Sequence, residues 1–335
     1  MREGSTGMRD PLGRTLRAGI AGEFAPLGVG VRVETNSAEI LEACQASFGP
    51  CGPPRRGKRS PGFLIRLLMD PSFTEAPPWP EAVFRGHGDL FYICVGRQNT
   101  AVTDLKLRLS VGFISPAMVQ DSAELRRTFL ECLAFTMATH GTGATRTYVH
   151  ASAVARGERG VIFSGPPESG KSTLAYACAR RGFHIVADDV VYLDNGRDGL
   201  TAWGKPWRLR FLADCVDLFP ELKGKTTGLS GQPEGEVEIE VEDLLPGSTQ
   251  VRCRPAALFF LNRRGGRADC EPLEPDRAVE LLSKDLIADF PETMQRHRRT
   301  WLKLAQCGSY LLHYGEDLDS AVRLLTHFLS VTPAG

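Results

Sequence analysis

Gly165-Pro166-Pro167-Glu168-Ser169-Gly170-Lys171-Ser172 has the spacing of a complete phosphate-binding loop. It limits the fold more than any other stretch, because such a loop works only between a strand and a helix. Both are at hand: the apolar run Val161-Ile162-Phe163 precedes it and the helix-like stretch Thr173 to Arg181 follows. The glycines let backbone N–H groups close around a phosphate, while the helix presents the positive end of its dipole. Lys171 can reach β- and γ-phosphates, and Ser172 can ligate Mg²⁺. The expected ligand is therefore a nucleotide, ATP with Mg²⁺, held by Gly165, Pro166, Pro167, Glu168, Ser169, Gly170, Lys171, Ser172 and Thr173. The blander account is a Gly/Pro-rich surface turn that happens to hold a lysine.

Around the loop the pattern is that of an α/β unit. Tyr148 to Val154 forms one expected strand and turns at Gly157 and Gly160. Past the helix, Gly182 is a C-cap candidate, and the strand Phe183 to Ala187 leads to Asp188-Asp189. Open α/β sheets bind ligands beyond the carboxyl ends of their strands, so the loop and the acidic pair are expected at one site. Adjacent carboxylates repel unless a cation or proton offsets one of them. Either of the pair can hold Mg²⁺ together with Ser172, while the other accepts the proton of an attacking hydroxyl. Alone, Asp188-Asp189 is better read as a capped turn at the end of a strand, and a lone strand histidine such as His150 is more often structural. His184 and His313 read as structural or surface residues.

The rest of the chain narrows the classes. Its 335 residues are 42% hydrophobic and 24% charged, enough for at least one sizeable core. A formal net charge of +0 supplies no overall attraction to nucleic acid or to an anionic membrane. Nine scattered cysteines without a Cys-x-x-Cys pair point to free thiols in a reducing, cytoplasmic setting rather than to zinc. No signal peptide or membrane span is expected, and a homo-oligomer is left open.

Three segments follow: a flexible tail over 1–15, a smaller α+β domain over 16–143 and a nucleotide-binding domain over 144–332. In the α+β domain the expected strands are Val29 to Val33, Phe63 to Leu68, Leu90 to Val95 and Leu105 to Leu109. A short helix starts near Asn36 or Ser37, and a longer one spans Ser122 to His140. Arg55, Arg56, Lys58 and Arg59 lie in a Pro/Gly loop that reads as solvated. Farther on, Lys225 sits in an expected mobile loop, and Glu236, Glu238 and Glu240 read as the solvent face of a strand. Ala256 to Leu261 reads as a buried apolar strand ending in Asn262-Arg263-Arg264, a solvated strand end from which an arginine could also face the nucleotide. Helices are expected over Asp276 to Ala288, Thr293 to Cys307 and Leu318 to Leu329, with a strand at Tyr310 to Tyr314.

His150-Ala151, the Gly165 to Ser172 loop and Arg181-Gly182-Phe183-His184-Ile185-Val186-Ala187-Asp188-Asp189 together resemble the C-terminal catalytic domain of HPr kinase/phosphorylase and its HPr-kinase-like relatives, with PEP carboxykinase as a remoter cousin. In that family the second acidic motif lies on the strand directly after the loop's helix. The resemblance implies a P-loop catalytic domain of α/β class preceded by the smaller domain. It also implies Lys171 and Ser172 on phosphate and Mg²⁺, Asp189 as catalytic base, Asp188 assisting with metal, and His150 near the transferred phosphoryl group. The implied partners are a nucleotide and a small protein or peptide whose serine accepts the phosphoryl group; lasso-peptide precursor kinases look similar in the same motifs. The chain departs from the family's later signature, an acid followed by Arg-Gly, where Arg208-Leu209-Arg210 has neither the acid before nor the glycine after. A nucleotide-binding regulatory or assembly protein is the alternative.

Overall fold

The computed structural model describes residues 16–52, 62–141, 145–196, 199–225, 227–228, 235–285 and 291–331. The tail expected over 1–15 and the cluster Arg55, Arg56, Lys58 and Arg59 lie outside them. The chain divides between Ala144 and Thr145 into two compact units, each mixed α/β.

The first unit is built on β1 (Ile20–Phe24), β2 (Val31–Thr35), β3 (Phe63–Met69), β4 (Val83–His87), β5 (Leu90–Val95), β6 (Asn99–Asp104) and β7 (Leu109–Ile114). They form one sheet in the order β1-β2-β3-β7-β6-β5-β4, with β2, β3 and β7 parallel. Val31, Val33 and Thr35 are buried and alternate with half-buried Arg32 and Glu34, as a strand with one covered face requires. The Ala38–Phe48 helix buries Ile40, Cys44 and Phe48. A helical run of Ser122–Glu124, the π-helical Leu125–Glu131 and Cys132–His140 fully buries Leu125, Phe129, Leu133 and Met137.

One expected strand is corrected. The alternation of Leu105 to Leu109 is overridden by turn chemistry, since Asp104 Oδ1 accepts from the N–H of Lys106 at 2.9 Å and of Leu107 at 2.8 Å. Arg108 takes a φ of 57°, and pairing resumes only at Leu109.

In the second unit, β8 (Arg146–Arg156), β9 (Arg159–Ser164), β10 (His184–Ala187), β11 (Val190–Gly196) and β12 (Gly199–Trp203) belong to the main sheet. A smaller sheet holds β13 (Arg208–Leu212), β14 (Thr227–Gly228) and β15 (Glu236–Glu240). The main sheet is completed by β16 (Arg252–Arg263), β17 (Asp269–Pro272) and β18 (Ser309–Tyr314). Its centre is β9 between β8 and β16, with β18 parallel to β16 on the far side.

Both faces of that centre are covered, which is why β16 is a continuous apolar run. Ala257, Phe259 and Leu261 join Val161 and Phe163 against the Lys171–Ala179 and Leu318–Val331 helices. Leu258 and Phe260 join Ile162 on the opposite face, against the Pro275–Leu282 and Pro291–Gln306 helices. Trp301 anchors that second layer, fully buried and donating its indole N–H to Tyr148 O at 3.2 Å. The smaller sheet packs Leu209, Phe211 and Ile239 into the first layer around Tyr176. All nine cysteines are free thiols. Among the described residues no helix is long and apolar enough to cross a membrane.

Candidate functional site

Strand β8 sets the positions of the site. Its residue Ala151 pairs with Ser164, the last residue of β9 and the one before Gly165. On its other edge the N–H of Ala151 donates to Asp189 O at 3.0 Å. One residue of β8 therefore separates the start of the Gly165–Ser172 loop from the acidic pair. After a register shift between Ile185 and Ala187, the end of β10 meets the register that β11 keeps along β8, with Ala187 opposite Ala153 and Val190 opposite His150. Asp188 and Asp189 thus interrupt what would otherwise be one long strand. The interruption is a tight turn in which the N–H of Val190 closes on Asp188 O at 2.8 Å, and Asp189 takes a left-handed φ of 68°. For a non-glycine residue this costs on the order of 1 kcal/mol, and such backbone strain concentrates at functional sites.

The turn sends the two carboxylates into different surroundings. Asp188 is buried, and its Oδ1 accepts from Ser152 Oγ at 2.6 Å and from Ser172 Oγ at 2.8 Å. Its Oδ2 accepts from the backbone N–H of Arg210 at 3.0 Å. Burial pushes the Asp188 carboxyl above the usual range; these hydrogen bonds oppose the rise, and the neighbouring Asp189 adds to it. Asp189 is more open. His150 Nδ1 lies 3.2 Å from Asp189 Oδ1, and this hydrogen bond is the main force holding the Asp189 carboxyl below its usual range. Partial burial opposes it, while His150, Arg210 and Lys205 add electrostatic support.

The loop itself has the conformation that its glycines permit. Gly170 takes a φ of 88° and caps the Lys171–Ala179 helix without a side-chain bond, so the first-turn N–H groups are left to other acceptors. Lys171 is buried, with Nζ donating to Gly165 O at 2.9 Å and Pro166 O at 3.2 Å. Pro166, Pro167 and Glu168 are exposed at the tip, Glu168 with a φ of 62°, and Thr173 is half-buried. Ser169 is buried, with Oγ lacking a hydrogen-bond partner among the described residues. Its carbonyl accepts from Tyr314 Oη at 2.6 Å, which ties the loop to the end of β18.

Ser172, Asp188, Asp189 and His150 are therefore brought together, with Lys171 folded inside the adjoining loop. Ser152, Arg210, Lys205 and Tyr314 also belong to the site and were not singled out from the sequence. The signal for Ser152 was its place on β8 two residues past His150. For Arg210 it was the Arg-Leu-Arg stretch noted above; Tyr314, from the end of a distant strand, carried none. The solvent-facing reading of Glu238 is corrected: it is buried, opposite Arg210 in the β13–β15 register, with Oε2 3.4 Å from Arg210 Nε and Oε1 3.5 Å from Arg208 Nε. Two guanidiniums draw it inward, whereas Glu236 is half-buried and Glu240 exposed. His313 is a buried structural residue bonded to Asn262. Lys225 is exposed at a turn, and 226 and 229–234 beyond it lie outside the described residues.

A Mg²⁺ ion takes oxygen donors, often one or two from protein with the rest from water and phosphate. Ser172 Oγ and the Asp188 carboxylate fit that requirement, being hard oxygens within 3.0 Å of one another on a carboxylate whose burial calls for a balancing cation.

No protein-family model and no curated protein matches the chain. Among solved structures it is similar to the HPr(Ser) kinase/phosphatase from Coxiella burnetii, at 16% identity over 54% of this chain and 99% of that one, with a TM-score of 0.28.

Proposed function

We propose that the chain is an ATP- and Mg²⁺-dependent kinase of HPr-kinase-like type, transferring the γ-phosphoryl group to a serine hydroxyl of a small protein or peptide. The observation that carries this reading is the hydrogen bond from Ser172, last residue of the phosphate loop, to Asp188, directly beside an Asp189 that His150 keeps ionised. Phosphoryl transfer asks the protein for positioning and charge rather than for covalent chemistry. Lys171 and the loop N–H groups bind the β- and γ-phosphates. Ser172 and Asp188 would hold Mg²⁺, which supplies neutralisation of phosphate charge when bound.

Asp189, ionised and the more exposed of the pair, receives the proton of the acceptor hydroxyl as its oxygen attacks the γ-phosphorus. The bond to the β–γ bridging oxygen breaks, and ADP leaves with that electron pair. His150 orients the Asp189 carboxylate, and Ser152 holds Asp188 against the loop helix. The test is incubation with γ-labelled ATP, Mg²⁺ and a panel of free serine, seryl peptides and HPr, with Lys171→Ala as control. Label on an acceptor, lost in the control, supports the kinase; tight ATP binding with no transfer to any acceptor favours a regulatory nucleotide-binding protein.

A further inference from the structure

Arg263 stands on the side of the loop away from the acidic pair. The relevant strands lie in the order β10, β8, β9, β16, β18, so the Asp188-Asp189 turn is on one side of the loop and the ends of β16 and β18 are on the other. Phe260 of β16 is level with Ser164 at the end of β9, which puts Arg263 three residues beyond the line where the loop begins. A Cβ added to Gly170 would lie 3.6 Å from Arg263 Cδ. The side chains around Arg263 are committed elsewhere: Asn262 to His313, and Arg264 to Asp269 and Glu271. The Arg263 side chain is exposed, with no ion pair or hydrogen bond among the described residues. An arginine at a phosphate loop with no carboxylate of its own is a cation available to an anionic ligand.

The direction of the nucleotide follows from the reaction. If the γ-phosphate is to react beside Asp189, the polyphosphate chain runs across the loop and its nucleoside end leaves on the β16 side. We propose that Arg263 pairs with the α-phosphate of the nucleotide and thereby selects a nucleotide over inorganic pyrophosphate. This rests on the kinase reading above and adds a specificity residue to the same site.

Calorimetric titration of the full chain with ATP, ADP and pyrophosphate in the presence of Mg²⁺ tests it. Arg263→Gln is expected to weaken ATP and ADP about tenfold, the scale of one charge-assisted hydrogen bond, and to leave pyrophosphate affinity unchanged. Arg263→Lys, which keeps the charge and loses the fork, should fall between wild type and Arg263→Gln. Equal losses for pyrophosphate and ATP, or no loss for ATP, would overturn the assignment. A wild-type protein that binds neither ATP nor pyrophosphate, or a Lys171→Ala variant that binds both as well as wild type, would overturn the phosphate-loop reading itself and Arg263's role with it.

Discussion

Asp188 and Asp189 are adjacent in sequence yet do opposite things, because the left-handed φ at Asp189 aims one carboxylate into a buried ring of donors and the other toward His150. Asp189→Asn keeps the shape and removes the carboxylate that the proposed reaction uses as proton acceptor. Phosphoryl transfer should fall by about 10²–10⁴-fold while ATP affinity holds; parallel losses of both would show that Asp189 supports the loop instead. His150→Ala gives a second, independent readout. The His150 hydrogen bond holds the Asp189 carboxyl below its usual range, so under the proposed reaction wild-type activity should persist to lower pH than an ordinary aspartate would allow. Without that bond the Asp189 carboxyl rises toward the ordinary value, and the acid limb of the kcat/KM profile should move to higher pH. A limb that stays in place would mean that His150 does not govern this carboxylate.

At the scale of elements, the end of β10 is fixed by a close approach from the far side. A Cβ at Gly204 would overlap Val186 O and Ala187 Cβ, immediately before the acidic pair. Gly204→Ala should therefore cost about 1–3 kcal/mol in stability as that strand end shifts. A displacement near 1 Å at Asp189 should lower turnover on the order of 10²-fold, measurable in the same labelled-ATP assay. Wild-type turnover in a folded variant would refute the coupling. The strand–loop–helix–strand run was legible in the sequence because each element carries its own local pattern, with β16 read from its apolar run and the acidic pair from its place after β10. Ser152 and Arg210 carried only a weak local signal and Tyr314 none, because all three arrive at the site by sheet register and packing rather than by a pattern in their own sequence window. Glu238 was misread for the same reason: strand alternation gave it a face, but Arg208 and Arg210 across the ladder decided its burial. Leu105 to Leu109 failed differently, since a single Asp104 side chain capping a turn outweighed five residues of alternation.

For the whole molecule, the division between Ala144 and Thr145 makes a thermal experiment informative. The loop, the acidic pair and Tyr314 all belong to the second unit. A ligand that binds only the folded state stabilises it by RT ln(1 + [L]/Kd), about 2.7 kcal/mol at one hundred times Kd. For a unit of this size each kcal/mol moves the midpoint by about 2–4 °C. Saturating ATP with Mg²⁺ should thus raise one calorimetric transition by about 5–10 °C and leave the other in place. The shift should vanish in Lys171→Ala and shrink when Mg²⁺ is withdrawn, because Asp188 then has no cation to balance its buried charge beside the phosphates. A single transition that moves as one would show that the units unfold together, and two transitions that ignore ATP would remove the nucleotide from the site.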